Sequence, residues 1–248
     1  FLRGLYGYCI QIDCDCSGYS DMAIGIALLL GFKIPMNFNA PLTADSMTDF
    51  WRRWHISLST WIRDYVYISL GGNKKGTLRM YFNQMVAMTA CGLWHGASLN
   101  FIVWGVLHGA LVCVHKFWSQ TVLKHDRRYH PSGLRRFISV FITFHVLCFT
   151  WLFFRCKDFD AVWVMVKQMF TKFNPSVLPD VFMGYKYVFL LMIFALLTHW
   201  IPDSWQNRCV RILEKGGVLL SAIAITIVIF IIMQVKSSDI QPFIYFQF

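Results

Sequence analysis

The sequence predicts an all-α, polytopic helical membrane protein with re-entrant or interfacial helices, and three observations carry that expectation. First, 56% of the 248 residues are hydrophobic and mean hydropathy is +0.49. With 23 Phe, 10 Trp and 10 Tyr, a water-soluble domain of this size would lack the polar surface to cover them. Second, three long runs carry no charge. Gly216 to Val235 runs 20 residues between Lys215 and Lys236, about 30 Å as a helix and the thickness of one hydrocarbon core. Phe137 to Phe154 runs 18 residues between Arg136 and Arg155, and Met80 to Val114 runs 35. Third, basic residues cluster in the connections. Gly71 to Arg79 holds Lys74, Lys75 and Arg79, and His115 to Arg136 holds Lys116, Lys124, Arg127, Arg128, Arg135 and Arg136 against Asp126 alone. The positive-inside rule makes both cytoplasmic.

The elements follow in chain order. Leu5 to Ile12 and Met22 to Phe32 are apolar, but "DCDCSGYSD" separates them, which predicts a broken or partly re-entrant helix. Lys33 to Asp49, with Pro35 and Pro41, reads as a loop. Leu58, Trp61, Ile62, Tyr65 and Val66 recur at helical spacing, an amphipathic helix at or just inside the interface. The Met80 to Val114 run is too long for one upright crossing and predicts a bent insertion broken near Gly92 and Gly96. Phe137 to Phe154 leads outward, Tyr187 to Ile201 returns, and Gly216 to Val235 leaves the C-terminus outside. Asp158 to Phe173 reads as a second amphipathic stretch. With Phe1 first and no signal peptide, residues 1–248 are expected to be one transmembrane domain whose N-terminal part is missing.

Several chemistries find little support. The eight cysteines lie mostly in apolar segments and behave as small hydrophobes. No Gly-x-Ser-x-Gly elbow is present and Glu214 is the only Glu, which argues against serine hydrolysis and paired-carboxylate catalysis. The alternating Asp and Cys of "DCDC" do not define a metal geometry, and no metal is assigned. Topology accounts for the basic excess, so nucleic acid is not a partner; the lipid bilayer is.

The histidines are more informative. An imidazole at membrane depth needs a hydrogen-bond partner or a chemical role. Hydrogen bonding is the expected role of His145 and His199, and exposure accounts for His115, His125 and His130. His95 differs, because Gly92 and Gly96 remove side chains around it, so that a substrate or another backbone can approach closely, and Ser98 and Asn100 follow. A buried general base needs such an opening to bring its reacting partner within hydrogen-bond reach. His108 lies about 20 Å further along a continuous helix, too far to share the site unless the segment folds back. It is expected to be structural or to line a funnel. His55 sits among Trp51, Trp54, Arg52 and Arg53, a setting that lipid anchoring explains for the arginines but not for the histidine.

Three blocks, "SGYSDMAIGIALLLGFKIPMNFNAP", "FWRRWHISLSTWIRDYVYISLGGNKKG" and "GLWHGASLNFIVWGVLHG", together resemble the membrane-bound O-acyltransferase family, in its alginate O-acetylation branch. The ending "PFIYFQF" is similar as well. The resemblance implies acyl transfer to a hydroxyl, with catalytic His95 as general base and catalytic His55 as its companion. Asp21, Arg63, Asp64, Asn73, Trp94 and Ser98 are candidate substrate or donor contacts. It further implies cytoplasmic acetyl-CoA as donor, a polysaccharide acceptor, an outer-face acyltransferase partner protein, and a multi-pass location in a bacterial inner membrane. Asp13, Cys14 and Cys16 depart from the aromatics that relatives carry there. Transfer of D-alanine or another acyl group to teichoic acid or peptidoglycan is the alternative acceptor chemistry. A transporter-like or scaffold component of a polysaccharide-modification complex is the alternative class.

Overall fold

A computed structural model describes residues 2–126, 129–172 and 174–235. Arg127, Arg128, Phe173, Lys236 and the "PFIYFQF" ending lie outside the described residues. Among the described residues every regular element is a helix. They divide into two units, Phe1–His199 and Trp200–Phe248. Among the described residues three helical stretches are long and apolar enough to cross a membrane, Leu99–Val122, Gly133–Arg155 and Ser204–Gln234. A pair bent by 83°, Pro175–Gly184 with Lys186–Thr198, makes a fourth if taken as one span.

The first unit opens with α1 (Leu2–Leu29), and here the structure corrects the expected break. The helix runs unbroken through "DCDCSGYSD". No proline interrupts it, and its most buried polar side chain has a partner. Asp13, only 1% exposed, meets His199 Nε2 at 2.8 Å. That imidazole lies beyond the end of α10 (Lys186–Thr198), so the contact ties α1 to α10. An Asp weakens a helix interior by competing for its backbone groups, and the Asp13 side chain is instead paired with His199.

Between these come α2 (Met47–Arg53) and α3 (Ile56–Trp61), then α4 (Thr77–His95) and α5 (Leu99–Lys116). The helices α6 (Gly133–Thr150) and α7 (Leu152–Arg155) follow. Next are α8 (Phe159–Thr171), capped by the Asp158 carboxylate on the Ala161 N–H, and α9 (Leu178–Gly184). The expected bend is present: the 35-residue run breaks at Gly96, and α5 folds back along α4. The break does not reach Gly92, which instead allows the close approach of another backbone that its missing side chain also implied. Gly92 lies inside α4, where a Cβ would come within 2.2 Å of the Phe101 carbonyl oxygen. Gly105 faces it, its Cβ position 2.5 Å from the Met88 carbonyl oxygen, and Gly109 packs on Met85. Apolar burial gives little force between helices in lipid, so close backbone approach through small residues holds such pairs together.

The second unit is α11 (Asp203–Val235), which contains the expected Gly216 to Val235 run and departs from helical geometry at Gly217, φ 64°.

Candidate active site

His95 is the last residue of α4. Gly96 takes φ 150° and ψ 162°, a region open essentially to glycine alone, and turns the chain away from the helix axis. Ser98 then starts α5 by accepting from the Asn100 N–H at 3.3 Å, so its hydroxyl serves as a helix cap. The turn leaves the His95 imidazole at a helix end, ringed edge-on by Trp94, Trp104 and Phe154 at centroid distances of 5.0, 5.4 and 5.0 Å.

His55 comes from the corner between α2 and α3. It adopts φ 45° and ψ 55°, left-handed geometry that a side chain adopts at a cost. Its ring meets the other face of the site, edge-on to Trp94 at 5.7 Å. The two histidines therefore flank Trp94. The buried Nδ1 of His55 has no hydrogen-bond partner among the described residues.

His108 lies one layer deeper, because the fold-back brings α5 alongside. Trp104 separates it from His95, with the His108 ring 4.4 Å away. Thr150 Oγ1 donates to the Leu147 carbonyl, so His108 Nε2 donates to that hydroxyl at 2.9 Å. Its Nδ1 then accepts from the Trp51 indole at 3.2 Å. Both nitrogens are satisfied in the neutral tautomer. At 0% exposed, His108 is structural.

A cavity of about 390 Å³ opens beside this cluster. One wall is the α4 face of Met80, Gln84, Ala87, Met88 and Cys91; Arg52, Arg63 and Lys116 are its cations and Asp126 its acid. The wall passes from exposed Arg63 and Asn73 to buried Ala87, Met88 and Cys91, so its inner end lies one helical turn, about 6 Å, short of His95. Two π-helical segments border it, Ile62–Tyr67 after α3 and Phe117–Val122 after α5. Their wide turns show in Ile68 N–H bonding Arg63 O and Leu123 N–H bonding Trp118 O, each at 2.9 Å. Segments of this kind are frequent at functional sites.

With that arrangement in view, the match to a family model over residues 4–155 decides the assignment, because the segment contains both histidines and all the cavity lining. The chain belongs to the membrane-bound O-acyltransferase family. Among curated relatives, "Probable alginate O-acetylase AlgI" of Azotobacter vinelandii is 45% identical over 168 residues, 68% of this chain and 32% of that one. The Pseudomonas putida protein of the same name is 33% identical over 264 residues, 99% of this chain and 53% of its own length. A "Peptidoglycan O-acetyltransferase" of Helicobacter pylori is 41% identical over 162 residues, 65% of this chain and 30% of that one. The chain thus spans between about a third and about half of these relatives.

Within this family segment the expected site residues separate into groups. His95, His55 and Trp94 come together. Arg63 and Asn73 line the cavity, which the two histidines and Trp94 do not. Asp64 pairs with Arg63 at 2.7 Å on an exposed surface, and the Arg63 guanidinium holds its carboxyl below the usual range. Asn73 accepts from the Tyr67 hydroxyl. Ser98 caps α5. Asp21 is exposed on α1 and lines neither the cavity nor the histidine cluster. Exposure does not account for His115, which is half-buried and bonded to Thr48 at 2.8 Å, nor is it the whole account of His130, which pairs with Asp45 at 2.7 Å. Asp45, Asp49 and His130 also bring three ligand atoms within 4.8 Å of one another, with Asp49 held by Arg53 at 2.8 Å. Sequence reasoning missed Trp51, Gln84, Cys91 and Lys116. The signal for the cavity wall was present as Met80, Gln84, Ala87, Met88 and Cys91, a one-sided helical repeat.

Proposed function

We propose that the chain forms the catalytic part of a multi-pass O-acyltransferase of a bacterial inner membrane. It moves an acetyl group from cytoplasmic acetyl-CoA toward the hydroxyls of an exported envelope polysaccharide, and an outer-face acyltransferase partner completes the transfer. The supporting observation is the placement of His95, at a helix end beside His55 and one turn beyond the buried end of a cavity with cationic walls. Arg52, Arg63 and Lys116 suit the phosphates of a CoA thioester, and the apolar inner wall suits its arm.

In this reaction His95 accepts the proton of the acceptor hydroxyl as that oxygen attacks the thioester carbonyl carbon. The C–O bond forms, the C–S bond breaks, and the departing CoA thiolate takes the proton from the imidazolium. General-base assistance of this kind contributes roughly 10²–10⁴-fold. His55 donates to the developing oxyanion, for which its unoccupied Nδ1 is suited. The relatives' names include alginate and peptidoglycan modification, which supports an envelope glycan as acceptor.

The test is His95→Gln in the full-length protein, with membrane abundance matched by blotting. Ester-linked acetate on the envelope polysaccharide, labelled from isotopic acetyl-CoA, should fall to background. Acetylation at the wild-type level would exclude His95 as the base.

A further inference from the structure

The corner that carries His55 is strained, and something must hold it. A non-glycine residue in the left-handed region costs about 1–2 kcal/mol and persists only where its surroundings over-determine it. The local sequence, "RRWHISLS", holds no glycine to relieve it. The restraint comes instead from Asn37 to Asn39, in the stretch before α2. The Asn39 N–H bonds Arg53 O at 2.9 Å on one side of the corner, and the Ile56 N–H bonds Asn37 O at 2.9 Å on the other. Phe38, between them, packs edge-on against Trp54 at 4.9 Å and tilted against the His55 ring at 5.8 Å. Beyond the corner, Asn37 Oδ1 accepts from both the Ser57 N–H at 3.0 Å and the Ser57 hydroxyl at 2.9 Å.

We propose that Asn37 is a positioning residue for His55, its side-chain oxygen fixing the start of α3 so that the imidazole is held against Trp94 beside His95. The proposal rests on the reading of His55 as the oxyanion donor. The strip makes two kinds of contact, which respond differently to substitution. Main-chain bonds of Asn37 and Asn39 survive any side-chain change, so the fold remains. The Oδ1 contacts do not survive, but Ser57 is exposed and water satisfies its freed donors. Loss of Asn37 Oδ1 therefore affects the position of the corner far more than the stability of the protein. A misplacement of about 1 Å in a catalytic constellation costs up to roughly 10²-fold in rate.

The experiment compares Asn37→Ala, Asn37→Asp and His55→Ala in the full-length protein in native membranes, with acetyl-CoA as donor. Asn37→Ala should lower kcat about tenfold or more and leave KM for acetyl-CoA unchanged. Asn37→Asp keeps a side-chain acceptor for Ser57 and should restore most of the rate. Carbethoxylation of His55, read by peptide mass spectrometry, should rise in Asn37→Ala and return in Asn37→Asp, a change that a role in stability alone would not produce. If His55→Ala is slow while Asn37→Ala keeps wild-type kcat, the positioning role is wrong and the role of His55 stands. Equal loss in Asn37→Ala and Asn37→Asp overturns it as well. A His55→Ala variant at full rate removes the role of His55 and the positioning inference with it.

Discussion

Two helix corners meet at Trp94, and they are built by opposite means. At the α4–α5 corner the chain supplies its own hinge: Gly96 takes φ 150° without a side chain to strain, and Ser98 caps the next helix. The α2–α3 corner has no such residue. His55 itself occupies the left-handed position at φ 45°, and the Asn37 to Asn39 strip holds it from outside. Each corner delivers one histidine to the same tryptophan. A relaxed hinge makes the position of His95 a local property, whereas the position of His55 depends on residues sixteen to eighteen places away in the sequence. This suits the two roles, since a general base must meet a proton on the substrate while an oxyanion donor must already be in place when charge develops.

The comparison can be broken most directly at the base. His95→Gln keeps a hydrogen-bonding side chain of similar reach but cannot take a proton at neutral pH, so turnover should fall by roughly 10²–10⁴. His55→Gln retains a donor and should lose less. If the two variants lose equally, the division of roles between the corners fails. Next in size is Gly92→Ala, within the α4 turn that leads to His95. The added Cβ would lie 2.2 Å from a carbonyl oxygen of α5, and two backbones must separate to admit it. Overpacking of this kind costs about 1–3 kcal/mol, and the loss should appear as a lower thermal midpoint in detergent. Gly96→Ala follows. It forces a side chain into a region that costs about 1–3 kcal/mol, and its Cβ would also sit 3.0 Å from the Phe101 ring, which has some freedom to move. Its thermal shift should be the smaller of the two, with a loss of turnover because His95 moves with the hinge.

The same contrast explains what was legible in the sequence. The α4–α5 break could be read because its cause is local: a 35-residue uncharged run too long to cross once, with glycines beside a histidine. Even there Gly92 reads equally as part of the break and as a point of close backbone approach, and only the second holds, since a glycine in a sequence does not show whether the chain needs its φ freedom or its missing Cβ. The continuity of α1 was not legible. "DCDCSGYSD" breaks an apolar pattern, and the partner that lets Asp13 stay buried, His199, lies 186 residues on. Nor could the deep network be read, since Trp51, His108 and Thr150 come from three separate helices or their ends. His55 stood out through its surroundings, but nothing in "WRRWHISLS" announces a left-handed residue.

The smallest effect isolates that last point. In an ordinary helix glycine is less stable than alanine by roughly 0.5–1 kcal/mol, because it has more freedom to lose on folding. At a position held in the left-handed region the order reverses, since alanine suffers a strain of about 1–2 kcal/mol that glycine does not. Residue 55 should therefore invert the usual ranking: His55→Gly more stable than His55→Ala by about 0.5–1 kcal/mol, the strain relieved less the entropy lost. Both variants lack the imidazole and its contacts with Phe38 and Trp94, so their difference reports the backbone alone. Thr60, inside α3, serves as the control, with Thr60→Ala more stable than Thr60→Gly. Thermal unfolding of the four variants in one detergent reads both signs. A normal ranking at residue 55 would mean that the corner relaxes out of its left-handed geometry once the side chain is removed, and that His55 holds the Asn37 strip in place as much as the strip holds His55.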